Sequence, residues 1–421
     1  MAPVRRWRSL LKSLPKTSYP KDKIRVLLLE NIHPEAAARF QAETFQVETL
    51  PAGLDEEALS AKIETVHLLG IRSKTRVTER VLLRARRLWA IGCYCIGTDQ
   101  VNLTTARRRG VPVFNAPYSN TRSVAELVIG EIIMLLRRVF EKNQHLHQKK
   151  WDKSSEGCYE VRGKTLGIIG YGHIGSQVSI LAEALGMNVI YYDITEKLPM
   201  GNARPVHSLA DVLQHSDVVT LHVPEDETTL NLIAAPQLAM MKKGSYLLNS
   251  SRGKVVHLED LREALVHAHL AGAAIDVFPS EPAGNDQPFE SVLQGLPNVI
   301  LTPHIGGSTL ESQEDIARKT SEKLITYMNT GGTYGSVNFP EVQLPLLKDQ
   351  HRVLHIHQNV PGVIAEFNNV FSQHRINIEG QYLRTREDIG YVVTDINHLP
   401  NRKIIEDLKK INATIRVRAL Y

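Results

Sequence analysis

The sequence predicts an α/β chain built from two parallel-sheet domains and a small third domain, and three observations predict it. Short apolar runs alternate with helical segments in one series and then in a second, which implies parallel sheets covered on both faces. The chain is 421 residues long, too long for one domain of roughly 150. From residue 353 onward the rhythm changes to strand, helix, strand, strand, helix, strand, the ferredoxin-like βαββαβ order. The expected architecture is therefore two Rossmann-like doubly wound sheets followed by a ferredoxin-like unit.

The first series opens with the apolar run Ile24–Leu29 and continues with Val66–Ile71 and Leu88–Gly92. From Ser123 to about Lys142 the pattern is helical, with Val124, Leu127, Val128, Glu131, Ile132 and Leu135 in phase. That is long enough to leave one domain and enter the next. The second series has strands at Thr165–Ile169, Val189–Tyr192, Val218–Leu221, Tyr246–Asn249, Ala273–Val277 and Val299–Thr302. A helix over Leu310–Met328 ends at Gly331-Gly332. The last unit has strands at Val353–His357, Ile376–Leu383, Gly390–Ile396 and Ile415–Leu420, and helices at Ile364–Ser372 and Lys403–Ile411. The expected division is a tail over 1–21, a first domain over 22–122 completed by 307–345, a second over 123–306, and the last over 346–421.

Composition narrows the function classes. Three cysteines, two of them in Cys93-Tyr94-Cys95, cannot form a disulfide framework and fit no zinc spacing. No run of about 18 apolar residues is present to span a membrane. The formal charge of +5 is local: six basic residues and no acid precede Asp22, leaving −1 for the rest. A nucleic-acid partner therefore has no electrostatic support. On a helix, Trp7, Leu10, Leu11 and Leu14 would oppose Arg5, Arg8 and Lys12. The expectation is a basic extension on a cytoplasmic protein, with a mitochondrial presequence as the alternative.

Gly170-Tyr171-Gly172-His173-Ile174-Gly175 follows a strand and opens a helix, and Asp193 ends the next strand. That is the context a dinucleotide loop requires: glycines for the turn and the close approach, a helix N-terminus for the pyrophosphate, and an acid for the ribose. Asp193 would repel a 2′-phosphate, so NAD is expected rather than NADP. Ser250 and Asp276, at later strand ends, complete the expected cofactor set.

Oxidising an alcohol carbon by hydride transfer requires a base for the hydroxyl proton and a cation for a substrate carboxylate. Arg252, Glu281 and His304 each stand just past a strand of the second series. Ligands of open parallel sheets sit beyond those strand ends, so the three can converge. Arg252 offers a planar donor fork, His304 an acid–base group, and Glu281 a carboxylate to orient the imidazole. Taken singly, any of the 17 histidines could be a surface or packing residue.

The glycine loop, Ser251-Arg252-Gly253, Phe278-Pro279-Ser280-Glu281-Pro282 and Thr302-Pro303-His304-Ile305-Gly306-Gly307 together resemble the D-2-hydroxyacid dehydrogenase family. Ile91 to Thr98 and Asn115 to Glu126 resemble its phosphoglycerate-oxidising branch, and the likeness runs from about Asp22 to Tyr421. The resemblance implies a homotetramer that oxidises 3-phospho-D-glycerate to 3-phosphohydroxypyruvate at the start of L-serine biosynthesis. It makes the first domain the substrate-binding one, Arg252 the substrate anchor, Glu281 the orienting acid and His304 the acid–base. Arg72, Lys74 and Lys153 match basic positions for the phosphate end. Lys74 stands where an arginine is usual, and Pro51-Ala52-Gly53 replaces a frequent lysine. His355 to Val363 resembles the opening of an ACT regulatory domain, in which His357, Asn359 and Asn377 would take L-serine as effector. Two other readings stay open: a reductase of 2-oxoglutarate or another 2-oxo acid, and an NAD-sensing regulator without chemistry.

Overall fold

The computed structural model describes residues 19–282, 287–345 and 351–420. The Trp7–Leu14 stretch, and with it the presequence reading, lies outside the described residues. The chain forms two compact units, one running to Pro117 and resuming at Glu314, the other Tyr118–Gln313.

The first unit contains a parallel sheet of β1 (Arg25–Leu28), β2 (Gln46–Thr49), β3 (Leu68–Ile71), β4 (Ala90–Cys93) and β5 (Val113–Asn115), in the order β2-β1-β3-β4-β5. Side chains alternate across a strand, so β1 sends Leu27 into one apolar cluster and Val26 and Leu28 into another. The second cluster is closed by Ile316, Ala317, Leu324, Tyr327 and Met328 of the helix Leu310–Thr330. Strands β3 and β4 are buried at every position, which is why they read as unbroken apolar runs. Strand β2 is an edge strand with only Val47 partly covered, and it carries no such run.

The second unit contains β6 (Thr165–Ile169), β7 (Asn188–Tyr192), β8 (Arg204–Pro205), β9 (Val218–Leu221), β10 (Ser245–Asn249), β11 (Leu270–Ile275) and β12 (Val299–Leu301). Their parallel order is β12-β11-β10-β9-β6-β7-β8. The chain runs outward in both directions from β6, which marks the point where a ligand crevice forms beyond the strand ends. The helix expected over Ser123 to about Lys142 is two helices, Thr121–Leu136 and Val139–His147. They part at Arg138, which adopts φ 53°. Its guanidinium holds Glu141 of the second helix at 2.7 Å, which supports a conformation that non-glycine residues disfavour.

The C-terminal part of the first unit is an antiparallel sheet of β13 (His351–Gln358), β14 (Ile378–Arg386), β15 (Ile389–Ile396) and β16 (Thr414–Leu420), ordered β14-β15-β13-β16. Helices Val363–Gln373 and Arg402–Lys409 cover one face through Phe367, Phe371, Ile404 and Leu408. The other face packs Leu354, Tyr391 and Val393 against Phe339 and Val342. The fold class is the expected one, two Rossmann-like sheets and a ferredoxin-like unit. The Gly331-Gly332 break is held firmly. Tyr391 donates its hydroxyl to the Gly331 carbonyl at 2.6 Å, and Arg352 donates Nη1 to the Thr330 carbonyl at 2.9 Å. A Cβ on Gly331 would lie 2.4 Å from Leu354, and its φ is +77°, so only glycine fits there.

Candidate active site

Beyond β6 the backbone turns at Gly170 with φ +92°, where a Cβ would stand 2.5 Å from the His222 carbonyl oxygen. A Cβ on Gly175 would meet the Gly170 carbonyl at 2.3 Å, so the helix closes directly onto the turn. Gly172 faces open space. The helix begins at His173, with its free amides at the loop. Asp193, past β7, accepts the Tyr171 amide on Oδ2 at 2.9 Å and the Thr195 amide and hydroxyl on Oδ1. A carboxylate has about four lone-pair sites, so a ribose hydroxyl still finds an acceptor. Ser250, past β10, has a buried hydroxyl with no partner. His173 packs its ring 4.0 Å from Tyr118, and Ile174 packs against the core cluster beneath the loop. An open glycine, a helix start and an orphaned hydroxyl fit a dinucleotide.

Three loops past β10, β11 and β12 carry the proposed chemistry. Asn249 ends β10 and folds the first loop back, accepting from Ser251 and donating Nδ2 to the Arg252 carbonyl at 2.9 Å. Arg252 is half-buried and gives Nη1 to the Ser251 carbonyl, with no carboxylate partner among the described residues. A Cβ on Gly253 would lie 2.1 Å from the Phe278 carbonyl oxygen, so this loop runs against the one that bears Glu281.

Glu281 accepts the Phe278 amide on Oε1 at 3.1 Å and His304 Nδ1 on Oε2 at 2.8 Å. His304 itself sits at φ 54°, and its amide donates to the Asp276 carbonyl at 2.8 Å. With Nδ1 committed to Glu281, Nε2 is the nitrogen left to meet a reacting hydroxyl. The Glu281 hydrogen bond outweighs burial and, with the charges of Glu281 and Asp276, raises the His304 pKa above its usual 6.5; Arg252 opposes this. Burial pushes Glu281 up, but His304, the Phe278 amide and the Arg252 charge prevail and hold it below its ordinary range. The pair can therefore take and return one proton while its carboxylate stays ionised.

Asp276, expected to touch the cofactor, has its carboxylate engaged within the protein. It is 1% exposed and accepts the Thr302 hydroxyl, the Ile305 amide and the Gly306 amide at 2.6–2.9 Å. Its observed work is to pin the loop that carries His304. Nearby, Glu131 is fully buried on the helix Thr121–Leu136, and neither oxygen has a partner. Burial, with the Asp276 charge, raises its pKa to about 8. In the sequence Glu131 is marked only by its helical phase, which does not distinguish a buried carboxyl from an exposed one.

The remaining positions are dispersed. Arg72 and Lys74 belong to the first unit and Lys153 to the second. The loop after β3 is held by buried Glu30, which accepts the Lys74 and Thr75 amides at 2.9 and 2.8 Å. In the C-terminal sheet His357 is 2% exposed and Asn359 follows it at the end of β13, while Asn377 precedes β14. The register pairs Gln358 with Ile389 and His351 with Ile396, and Ile378 lies opposite Ile396. One chain therefore places Asn359 and Asn377 at opposite ends of the sheet.

Residues 129–306 match the family described as D-isomer specific 2-hydroxyacid dehydrogenase, NAD binding domain. Residues 353–416 match an AHAS small subunit-like ACT domain. A D-3-phosphoglycerate dehydrogenase of Dictyostelium discoideum is 52% identical over 407 residues, covering 97% of this chain and 100% of its own. One from Escherichia coli strain K12 is 52% identical over 411 residues, with the same shares. Among solved structures, a Thermus thermophilus protein aligns with TM-score 0.68 and 33% identity over 75% of this chain and all 100% of its own. A D-lactate dehydrogenase of Aquifex aeolicus, complexed with NAD and lactic acid, aligns with TM-score 0.65 and 26% identity over the same shares, 75% and 100%. Fold, loop and matches define an NAD-binding oxidoreductase of the D-isomer-specific 2-hydroxyacid class. Within that class, the chain belongs to the D-3-phosphoglycerate dehydrogenase family.

Proposed function

We propose that this chain oxidises 3-phospho-D-glycerate to 3-phosphohydroxypyruvate, the first step of L-serine biosynthesis, as a cytoplasmic homotetramer. The observation that carries the reading is the Glu281–His304 pair at 2.8 Å beside the unpaired Arg252 fork. Arg252 holds the substrate carboxylate, and His304 Nε2 takes the proton of the C2 hydroxyl. Bound NAD would supply the hydride acceptor, and Gly170, Gly172, His173, Ile174 and Gly175 would hold it, with Asp193 for a ribose hydroxyl and the unpartnered Ser250 hydroxyl as a further contact. Arg72, Lys74 and Lys153 attract the phosphate. None of these three has an ion-pair partner among the described residues, so each charge is available.

L-serine is read as the effector of the C-terminal domain. Asn359 and Asn377 stand at opposite ends of one sheet, so a ligand that uses both must bridge two copies. The competing substrate is 2-oxoglutarate, favoured by the lysine at position 74, which keeps the charge and loses the arginine fork. The deciding experiment follows NADH with each substrate, with and without L-serine. NADH formation from 3-phosphoglycerate, suppressed by serine, supports both parts of the reading. NADH consumption with 2-oxoglutarate and no turnover of 3-phosphoglycerate rejects the substrate in favour of the competitor. Turnover indifferent to millimolar serine rejects the effector.

A further inference from the structure

A second cationic site lies in the first unit, among residues that the proposed reaction does not use. A groove of about 790 Å³ is formed between β16, the end of the helix Arg402–Lys409 and the starting ends of β1 and β4. That volume is within the range of roughly 300–1,000 Å³ typical of small-molecule sites. Its charged lining is of one sign: Lys21, Arg86, Lys409, Arg416 and Arg418, with no carboxylate among the described lining residues. Lys21 is answered by Glu43. The other four have no ion-pair partner among the described residues.

Two of these cations are partly buried. Arg416 gives Nη1 to the Leu88 carbonyl. Arg418 lies over the Trp89 ring at 4.7 Å and the Tyr327 ring at 5.2 Å, which fixes its plane. Its Nη2 reaches the Met328 carbonyl only at 3.4 Å, and its Nη1 is sealed from solvent without an acceptor. The field of the cluster is felt by its neighbours. Burial, with Arg418 and Arg109, draws Arg416 down to about 10. Burial, with Arg87, Arg25 and Arg418, draws His67 down to about 4.

Gathering like charges and leaving a guanidinium donor unmet is costly unless an anion completes the site. The cations approach from three separate segments, so they suit an oxyanion that accepts in several directions at once. Tyr19 and Trp89, edge to face at 5.3 Å, offer an apolar wall for an organic remainder. We propose that this groove binds a phosphate-bearing small molecule. Its ligand touches both the first sheet and the C-terminal sheet, so occupancy strengthens the contact between them.

The test uses the full chain carrying Arg72→Ala, Lys74→Ala and Lys153→Ala and saturated with NAD, so that neither the proposed phosphate cations nor the dinucleotide loop can supply the signal. Pyrophosphate is titrated by calorimetry at constant ionic strength, and melting temperature is followed in parallel. Saturable binding with a rise in melting temperature is expected. Adding Arg86→Ala and Lys409→Ala, both exposed positions, should weaken it at least tenfold, and Arg418→Lys should weaken it severalfold. A chain with only the Arg86→Ala and Lys409→Ala changes should keep NADH-linked turnover, which checks its fold. Absence of saturable binding overturns the proposal. So does binding that survives removal of Arg86 and Lys409.

Discussion

Two histidine sites in this chain contrast in how they hold the same ring. His304 is half-exposed, takes a carboxylate on Nδ1 and has its pKa raised. His355 and His357, stacked at 5.2 Å in the C-terminal sheet, are buried and have no carboxylate partner among the described residues. Burial lowers both, His355 to about 3 with the His357 charge adding to it. His355 gives its Nε2 side to the Thr414 hydroxyl at 2.7 Å, and its other nitrogen is unpartnered. The difference teaches that a carboxylate and some solvent make a ring that moves protons. Burial without one makes a neutral wall of donors and acceptors.

The largest effect expected of that contrast is at His304. Replacing it with alanine should lower turnover roughly 10³-fold, within the range of acid–base catalysis, while NAD titration is unchanged. Loss of NAD binding in this variant would mean that the residue serves the fold. Glu281→Gln comes next, with a fall of about tenfold to a hundredfold. Oxidation needs neutral His304, and the carboxylate that raises its pKa would be gone. The rising limb of the pH–rate profile should therefore move to lower pH in the variant, and an unmoved limb would refute the role given to Glu281.

A third prediction concerns Glu131, a carboxyl whose environment opposes ionisation. Its folded pKa of about 8 exceeds the ordinary 4.5, so the folded state keeps a proton that the unfolded state loses. This group's contribution to stability falls as pH rises from 4.5 to about 8 and is flat above, at up to roughly 1.4 kcal/mol per pH unit. Glu131→Gln should remove that slope in denaturation series across the window, and an unchanged slope would show the carboxyl to be solvated. The smallest effect is at the neutral wall. His357→Ala should leave turnover without serine intact and weaken the proposed inhibition by serine about tenfold. Proton resonances of His355 should not titrate between pH 5 and 8, and a midpoint there would break the contrast.

Much of this was legible before folding. Buried strands such as β3, β4 and β9 announce themselves as unbroken apolar runs, and the glycine loop carries its own strand and helix. The gathering of Arg252, Glu281 and His304 was legible because strand ends of one sheet face one crevice. The rest depends on contacts that a linear pattern does not carry. Strands β2 and β8 are edge elements with little apolar signal. The break at Arg138 has no glycine or proline to mark it, only an arginine that finds Glu141. That the Asp276 carboxylate also pins the His304 loop through three protein donors is a contact no linear pattern carries.

The helix Leu310–Thr330 closes a cluster of the first sheet from a point far along the chain. During synthesis the strands β1 to β5 emerge early, yet the apolar face that Leu324 and Tyr327 cover stays bare until all of Tyr118–Gln313 has been made. The second unit, continuous in sequence, can complete its own core first. The second unit can thus fold ahead of the first during synthesis, leaving apolar surface of the first sheet transiently exposed, the kind of surface that aggregates.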